Sequence, residues 1–207
     1  MHRRLLLATR NNGKVRELRA LLDGTGIEVT CLADFPDIRL PDESGETFAE
    51  NALIKARAAA AASGLWALAD DSGLEVEALG GAPGVRSARF SGEDATDGEN
   101  NALLLERLAD VPDERRGARF VSAVALCAPG GDCVVREGYC GGAVIRAPHG
   151  SGGFGYDPLF YMPGEGMTYA ELPVTRKNEI SHRARALFLI KQDIVDRLGS
   201  DDTPCSE

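Results

Sequence analysis

The sequence predicts an α/β fold with a mixed β-sheet, and three patterns carry this prediction. Short apolar runs typical of buried strands alternate with stretches in which leucine or alanine recurs at helical spacing. Two strand-like segments, 120–128 and 133–139, bracket a Pro-Gly-Gly-Asp turn, which indicates a hairpin. Helical crossovers connect parallel strands and hairpins connect antiparallel ones, so the sheet should contain both kinds of pairing.

The first half of the chain supplies the clearest local signals. Residues 5–8 and 27–32 are predicted strands, and Leu18, Leu21 and Leu22 mark a helix between them. Farther along, Thr47 and Glu50 have the spacing of a capping box. This box should open an alanine-rich helix that closes near Gly64.

The second half is predicted from alternation and helical periodicity. Residues 74–79 alternate as a half-buried strand should, and residues 101–108 have helical character. A last helix should begin near Ser181. Its apolar face is predicted from helical spacing to comprise Ala184, Leu187, Phe188, Ile194, Val195 and Leu198.

The segment Asp70-Asp71-Ser72-Gly73 follows an apolar run and combines two carboxylates with a hydroxyl group. Carboxylate oxygens suit Mg²⁺, which completes its shell with waters and substrate phosphates. Adjacent residues on a strand point to opposite faces, so at most one of Asp70 and Asp71 can line a given pocket wall. A plain turn is the alternative, and it is favoured for this segment alone because Asp, Ser and Gly are typical turn residues.

The polar turn Thr9-Arg10-Asn11-Asn12-Gly13-Lys14 joins the first predicted strand to its helix. Such a loop is expected to aim unpaired backbone N–H groups and the positive end of the helix dipole at an anion, with Lys14 adding a charge. It is not a Walker loop, because the second glycine and the Ser or Thr after the lysine are missing. A simple strand-to-helix turn is the alternative.

Two further segments suggest a nucleotide. In Gly152-Gly153-Phe154-Gly155-Tyr156-Asp157-Pro158, glycines flank aromatic rings, and an aromatic ring beside bare backbone could stack on a base for about 1–3 kcal/mol. In the second segment, 177–183, Lys177 precedes His182 and Arg183 at the start of the last helix, where the helix dipole disfavours cations unless an anion compensates. The alternatives are an ordinary core aromatic and a solvated basic cluster.

Taken together, these motifs resemble the inosine triphosphate pyrophosphatase family, in the same order, from about residue 5 to residue 198. The segments that carry the resemblance are 8–14, 70–74, 80–85, 87–92, 154–158 and 180–183. The resemblance implies a two-lobed α/β fold with a long central mixed sheet flanked by helices, a nucleotide cleft between the lobes, and a homodimer. A single domain would span residues 1–199, and residues 200–207 are predicted to be a disordered tail.

The resemblance also implies roles for individual residues. Asp71 would be the general base and would bind Mg²⁺ together with Glu43. The substrate-binding set would be Thr9, Arg10, Asn11, Asn12, Gly13, Lys14, Ser72, Phe154, Gly155, Tyr156, Asp157, Lys177, His182 and Arg183. Lys55 matches a lysine that faces the phosphates in the family, although its helical spacing also fits a solvent-facing charge.

The implied reaction is hydrolysis of inosine, deoxyinosine or xanthosine triphosphate to the monophosphate and pyrophosphate. This activity would remove non-canonical nucleotides before they enter DNA or RNA. Donors from Arg or His would favour a purine with a carbonyl at C6 over one with an amine there. Hydrolysis of other modified or canonical triphosphates and a non-catalytic nucleotide sensor are the alternatives.

Composition limits the remaining possibilities. A formal charge of −9 argues against a surface that coats nucleic acid. The five cysteines form no CxxC pair, and their odd number favours reduced thiols and a cytoplasmic location over a disulfide framework. No apolar run has the length of a membrane span, so no membrane partner is expected.

Overall fold

The computed structural model describes residues 3–199 of the 207-residue chain. The predicted tail at 200–207, which includes Cys205, lies outside the described residues. The described strands are β1 (Arg3–Leu7), β2 (Ile27–Cys31), β3 (Trp66–Val76), β4 (Gly117–Cys127), β5 (Cys133–Val144), β6 (Phe160–Met162) and β7 (Met167–Thr168). The described α-helices are α1 (Asn12–Leu21), α2 (Phe48–Ser63), α3 (Asp97–Arg107), α4 (Val174–Ile180) and α5 (His182–Gly199).

The seven described strands form one mixed sheet in the order β2-β1-β3-β4-β5-β6-β7. Strand β1 pairs in parallel with β2 and β3, and every later pairing is antiparallel. The first part of the chain therefore builds a parallel half through the crossover helices α1 and α2, and the hairpin of β4 and β5 begins the antiparallel half. The predicted α/β class with a mixed sheet is confirmed.

Helix α2 begins and ends where local sequence chemistry predicts. The Thr47 hydroxyl accepts a hydrogen bond from the backbone N–H of Glu50, and the Glu50 carboxylate accepts one from the N–H of Thr47. Gly64 ends the helix in the left-handed conformation, with φ of 68°. The alanines Ala52, Ala56 and Ala59 lie fully buried against the sheet, where their small side chains allow close packing.

The Asp70-Asp71-Ser72-Gly73 segment is not a turn, and β3 does not end there. The strand continues to Val76 and pairs with β4 from Ala67 to Val76. Gly73 is required by packing, since a Cβ atom at this position would lie 2.4 Å from Ser87 Oγ and 2.7 Å from the Gly84 carbonyl oxygen. Long-range pairing therefore overrides the turn preference of these residues.

Three hydrophobic cores lie along the long strands. Helices α1 and α5 cover one face of the parallel half, and α2 covers the other. The third core lies at the far end of β3, β4 and β5, where Leu74, Leu104, Phe120 and Phe160 are buried together. Because these three strands contribute to all three cores, the two ends of the sheet share a continuous framework.

Two predictions about side chains are wrong. Cys127 and Cys133 face each other across the β4–β5 hairpin and form a disulfide, so these two thiols are not reduced in the structure. Cys31 and Cys140 are free and buried. The predicted apolar face of α5 includes Phe188, but this side chain is 73% exposed, because the face packed on the sheet runs through Leu187, Ile190, Ile194 and Leu198 instead.

No helix within residues 3–199 is both long enough and apolar enough to cross a membrane.

Candidate active site

The candidate site lies where β3 extends past the end of its neighbour β1. The last paired residue of β1 is Leu7, opposite Leu68, and β3 continues beyond the acidic pair to Val76. Among residues 3–199, no named strand pairs with this edge of β3 beyond Leu68, and the segment from Gly81 to Ser87 bonds to it only from Leu74 onward. The Asp70-Asp71-Ser72 segment therefore lies on an edge that can be approached from the side.

The two aspartates point to opposite faces of the sheet, as strand geometry predicts. Leu68 packs in the core formed with α1 and α5, and Asp70 faces the same side. Ala69 packs in the core formed with α2, and Asp71 faces that side. The open edge is the place from which one ligand could reach both carboxylates.

On the α1 and α5 side, Asp70 binds two cations. Lys14 Nζ lies 2.9 Å and 2.8 Å from the two carboxylate oxygens of Asp70. Arg183 donates from Nη2 at 2.7 Å and from Nε at 3.2 Å to Oδ2 of the same carboxylate. Burial alone would raise the pKa of Asp70, but the charges of Arg183 and Lys14 hold it well below its usual range. Burial lowers the pKa of Lys14.

On the α2 side, Lys55 bridges two carboxylates. Its ammonium group lies 2.7 Å from Glu43 Oε1 and 3.3 Å from Asp71 Oδ1. Lys55 therefore faces the site and not the solvent, with 13% of its side chain exposed. Burial raises the pKa of Asp71, the nearby charge of Glu43 adds to the rise, and Lys55 opposes it. A raised pKa makes this carboxylate a better proton acceptor than an ordinary aspartate.

Asn51, on helix α2, orients Asp71. The Asn51 amide donates from Nδ2 to Asp71 Oδ2 at 3.2 Å, and its Oδ1 accepts a hydrogen bond of 2.8 Å from the backbone N–H of Gly45. Asn51 is fully buried. It therefore connects Asp71 to the segment that carries Glu43.

The chemistry of this carboxylate pair fits Mg²⁺. No group of three or more His, Cys, Asp or Glu side chains within residues 3–199 is arranged to hold a metal ion. Mg²⁺ needs fewer protein ligands than that, because it keeps waters and takes oxygens from substrate phosphates. Glu43 and Asp71 already converge on a single ammonium ion, so the same two carboxylates can hold a small cation between them.

The loop from Thr9 to Lys14 satisfies several of its own N–H groups. Thr9 Oγ1 accepts from the N–H of Asn11 at 3.1 Å, and Asn11 Oδ1 accepts from the N–H groups of Gly13 and Lys14 at 2.8 Å and 3.3 Å. Asn11 is thus the N-cap of α1. The expectation that these N–H groups are unpaired is wrong in this structure, and Lys14 is the group that turns into the site. The remaining loop residues Arg10 and Asn12 are exposed.

Phe154 lies on an exposed loop whose backbone is firmly held. Its ring is 66% exposed. Asp157 Oδ2 accepts a hydrogen bond of 2.9 Å from the Phe154 N–H and also binds Lys177 Nζ. The Lys177 ammonium lies 5.3 Å from the Phe154 ring centroid and 5.0 Å from that of Tyr169. An exposed ring beside a cation is a suitable platform for a nucleobase.

The remaining predicted substrate residues are more buried. His182 is stacked on Phe120, with ring centroids 4.8 Å apart, and burial lowers the pKa of His182 to about 3. The Tyr156 hydroxyl donates to the Ser87 carbonyl oxygen at 2.9 Å, so this ring is a core residue that anchors the Phe154 loop. Ser72 Oγ donates to Ser122 Oγ at 3.1 Å. Gly155 separates Phe154 from Tyr156 and has φ of 60°.

Sequence reasoning did not place Asp70 or Asn51 in the candidate site. The alternation rule indicates that Asp70 and Asp71 face opposite sides, but it does not show that Lys14 and Arg183 converge on Asp70. Asn51 lies in an alanine-rich helix whose apolar residues are expected to face the core. An amide among them needs hydrogen-bond partners, and this is the feature of the sequence that could have indicated a role for Asn51.

Comparison with known proteins places these features in context. Residues 5–193 match the model of the Ham1 family. The chain is 54% identical over 191 residues to the dITP/XTP pyrophosphatase of Geobacter sulfurreducens, covering 92% of this chain and 96% of that protein. It is 53% identical over 195 residues to the dITP/XTP pyrophosphatase of Geobacillus kaustophilus, covering 94% and 96%.

Solved structures give the same result. A HAM1 protein from Coxiella burnetii superposes with a TM-score of 0.88 at 41% identity, covering 93% of this chain and 98% of that chain. The nucleoside-triphosphatase / dITP/XTP pyrophosphatase of Mycobacterium abscessus superposes with a TM-score of 0.77 at 49% identity, covering 90% and 98%. Both chains are similar to this one over nearly the whole described fold.

Proposed function

This chain belongs to the Ham1 family, and we propose that it hydrolyses non-canonical purine nucleoside triphosphates, such as those of inosine, deoxyinosine and xanthosine, to the monophosphate and pyrophosphate. The names of its relatives support this substrate class. The structural observation that carries the proposal is the convergence of two charged clusters on the open edge of β3. A triphosphate lying across that edge would meet Lys14 on one side and Lys55 on the other, with Arg183 beside Lys14 at Asp70.

Asp71 is the proton acceptor in this proposal. It would take a proton from the water that forms the new bond to the α-phosphorus as the bond to the bridging oxygen breaks and pyrophosphate leaves. Its raised pKa and its hydrogen bond from Asn51 suit this role. When held by Glu43 and Asp71, Mg²⁺ would neutralise phosphate charge and lower the pKa of a coordinated water. Lys14 and Lys55 would stabilise the charge that develops on pyrophosphate.

The base would stack on Phe154 beside Lys177. Arg183 binds Asp70 through Nε and Nη2, and Nη1 is the donor that we assign to the purine carbonyl at C6. Adenine has an amine at this position, so a donor there would face another donor and lose a hydrogen bond. This mismatch is the physical basis that we propose for selectivity against ATP.

The other substrate residues would act around this core, with Thr9, Asn11, Asn12 and Gly13 shaping the phosphate loop and Ser72 on the strand edge. Arg10 would contribute a charge at the loop surface. The proposal includes a homodimer, as the family resemblance implies, and sedimentation equilibrium tests it. The proposal also keeps the cytoplasmic location predicted from composition.

The direct test is an assay of the purified protein with Mg²⁺ and the triphosphates of inosine, xanthosine, adenosine and guanosine. We expect pyrophosphate as the first product and faster turnover of the first two substrates. Orthophosphate as the first product would overturn the cleavage position, and equal rates on all four would overturn the selectivity. Nucleotide binding without any hydrolysis would favour a sensor.

A variant pair tests the assigned base. We expect Asp71→Asn to lower kcat by about 10²–10⁴, because the amide cannot accept the proton. The matched control is Asp42→Asn, which removes an exposed carboxylate next to Glu43. Near-normal turnover by a folded Asp71→Asn variant would remove Asp71 from this role.

A further inference from the structure

Two side chains of helix α3 form hydrogen bonds to the loop that carries Phe154. Asp97 Oδ2 accepts a hydrogen bond of 2.6 Å from the backbone N–H of Gly155, and Asn101 Nδ2 donates one of 3.0 Å to the carbonyl oxygen of Gly155. Asp97 and Asn101 are four residues apart, so they project from the same face of α3. One helix face therefore binds the backbone on both sides of Gly155.

These two bonds constrain the residue next to the exposed ring. The Phe154 N–H is bonded to Asp157, and the following N–H, that of Gly155, is bonded to Asp97. With φ of 60°, Gly155 adopts a left-handed conformation that the loop needs in order to turn toward α3. The Phe154 ring itself has little packing, since it is 66% exposed. The backbone bonds therefore set where the ring leaves the loop, and Lys177, 5.3 Å from the ring centroid, is its neighbour there, while the core contributes little.

We propose that Asp97 and Asn101 are positioning residues that pre-organise Phe154 to receive the purine base. This inference rests on the proposed function, in which Phe154 stacks on the base. An aromatic platform fixed in advance binds more tightly, because the ordering entropy of the loop does not have to be lost when the base binds. Neither Asp97 nor Asn101 contacts the phosphate-binding cations in the structure, so their effect is confined to the base half of the substrate.

The first test compares Asp97→Ala, Asp97→Asn and Glu99→Ala. Losing the bond to Gly155 in Asp97→Ala should raise KM for inosine triphosphate roughly three- to tenfold with kcat nearly unchanged. Asp97→Asn keeps an acceptor oxygen and should restore most of the affinity. Glu99→Ala removes the same charge from the same first turn, where Glu99 binds the N–H of Thr96, but it leaves Gly155 untouched. It should leave KM unchanged.

Inorganic tripolyphosphate separates positioning from general damage to the fold. It carries the phosphates without a base, so its inhibition constant should be the same in Asp97→Ala, Asn101→Ala and the wild type. Equal weakening of tripolyphosphate and nucleotide would overturn the inference, because it would indicate a general loss of the site. An unchanged KM in both alanine variants would overturn it as well.

The variant Phe154→Ala distinguishes failure of this inference from failure of the assigned base site. If Phe154→Ala leaves KM unchanged, the assignment of the base platform is wrong. If Phe154→Ala raises KM, then Asp97→Ala in the Phe154→Ala background should add no further increase, because the group it positions is gone. Additive effects in that double variant would show that Asp97 acts by another route.

Discussion

At the scale of single residues, the candidate site neutralises its cations before any substrate is present. Asp70 binds Lys14 and Arg183, Asp157 binds Lys177, and Glu43 shares Lys55 with Asp71. A protein with a formal charge of −9 can therefore hold several partly buried cations in one candidate site for an anionic ligand. The carboxylates hold these cations in position, and an anionic ligand would add negative charge to the same cations.

The first prediction concerns Asp70. Asp70→Asn leaves two largely buried cations without their anion, and we expect the free energy of unfolding to fall by about 3–5 kcal/mol. Tripolyphosphate should raise the melting temperature of this variant more than that of the wild type, because it replaces the lost charge. Calorimetry with and without tripolyphosphate measures both effects. An equal rise in the two proteins would show that the phosphates do not replace the charge of Asp70 beside Lys14.

The second prediction uses the buried His182. Burial lowers its pKa from 6.5 to about 3 in the folded protein. The unfolded chain therefore binds more protons below pH 6.5, so the stability that a neutral His182 provides is present above that pH and is lost as the pH falls toward 3. We expect the wild type to lose about 2 kcal/mol more than His182→Phe between pH 7 and pH 5, because Phe keeps the stack without titrating. Urea unfolding at the two pH values measures this difference, and parallel losses would contradict the assigned pKa.

At the scale of elements, prediction succeeded where the signal is local. The capping box of Thr47 and Glu50 and the glycine at position 64 define α2 by short-range hydrogen bonds, and these are visible in sequence. It failed for β3, because Asp, Ser and Gly favour a turn while pairing with β4 from Ala67 to Val76 determines the outcome. It also failed at Phe188. Leu187 and Phe188 are adjacent apolar residues on α5, and helical spacing alone does not decide which of the two faces the sheet.

The prediction at this scale concerns the Phe154 loop. At Gly153, φ is 78°, and a Cβ atom there would lie 1.9 Å from Asp157 Oδ2. Gly153→Ala should therefore destabilise the protein by about 1–3 kcal/mol and raise KM for inosine triphosphate, since Asp157 also holds Phe154 and Lys177. Gly130→Ala is the control, because a Cβ atom at position 130 would have no other atom within 4 Å. Thermal unfolding and initial rates measure the two effects, and unchanged values for Gly153→Ala would contradict this account of the loop.

At the scale of the whole molecule, the sequence indicated the α/β class and the family, while the convergence of the site required the structure. Lys14 and Arg183 are far apart in the chain and meet at Asp70 because α1 and α5 pack on the same face of the sheet. No local sequence pattern predicts that Lys14 and Arg183 both contact Asp70, because this contact depends on the order of the strands and the placement of the last helix. The resemblance supplied most residues of the candidate site, but it did not predict which carboxylate pairs with which cation.

The last prediction concerns whether the two ends of the sheet unfold together, as expected for the single domain that we propose. Because β3, β4 and β5 run through all three cores, damage at one end should destabilise the other. Leu104 is fully buried in the third core, whereas Trp66, the single tryptophan of the chain, packs against the first. Leu104→Ala should cost about 2–5 kcal/mol and shift the urea midpoint reported by Trp66 fluorescence by as much as that reported by circular dichroism. The exposed substitution Glu106→Ala on the same helix should shift neither midpoint. If Leu104→Ala instead left the fluorescence midpoint in place and split the circular dichroism transition in two, the ends of the sheet would be separate folding units.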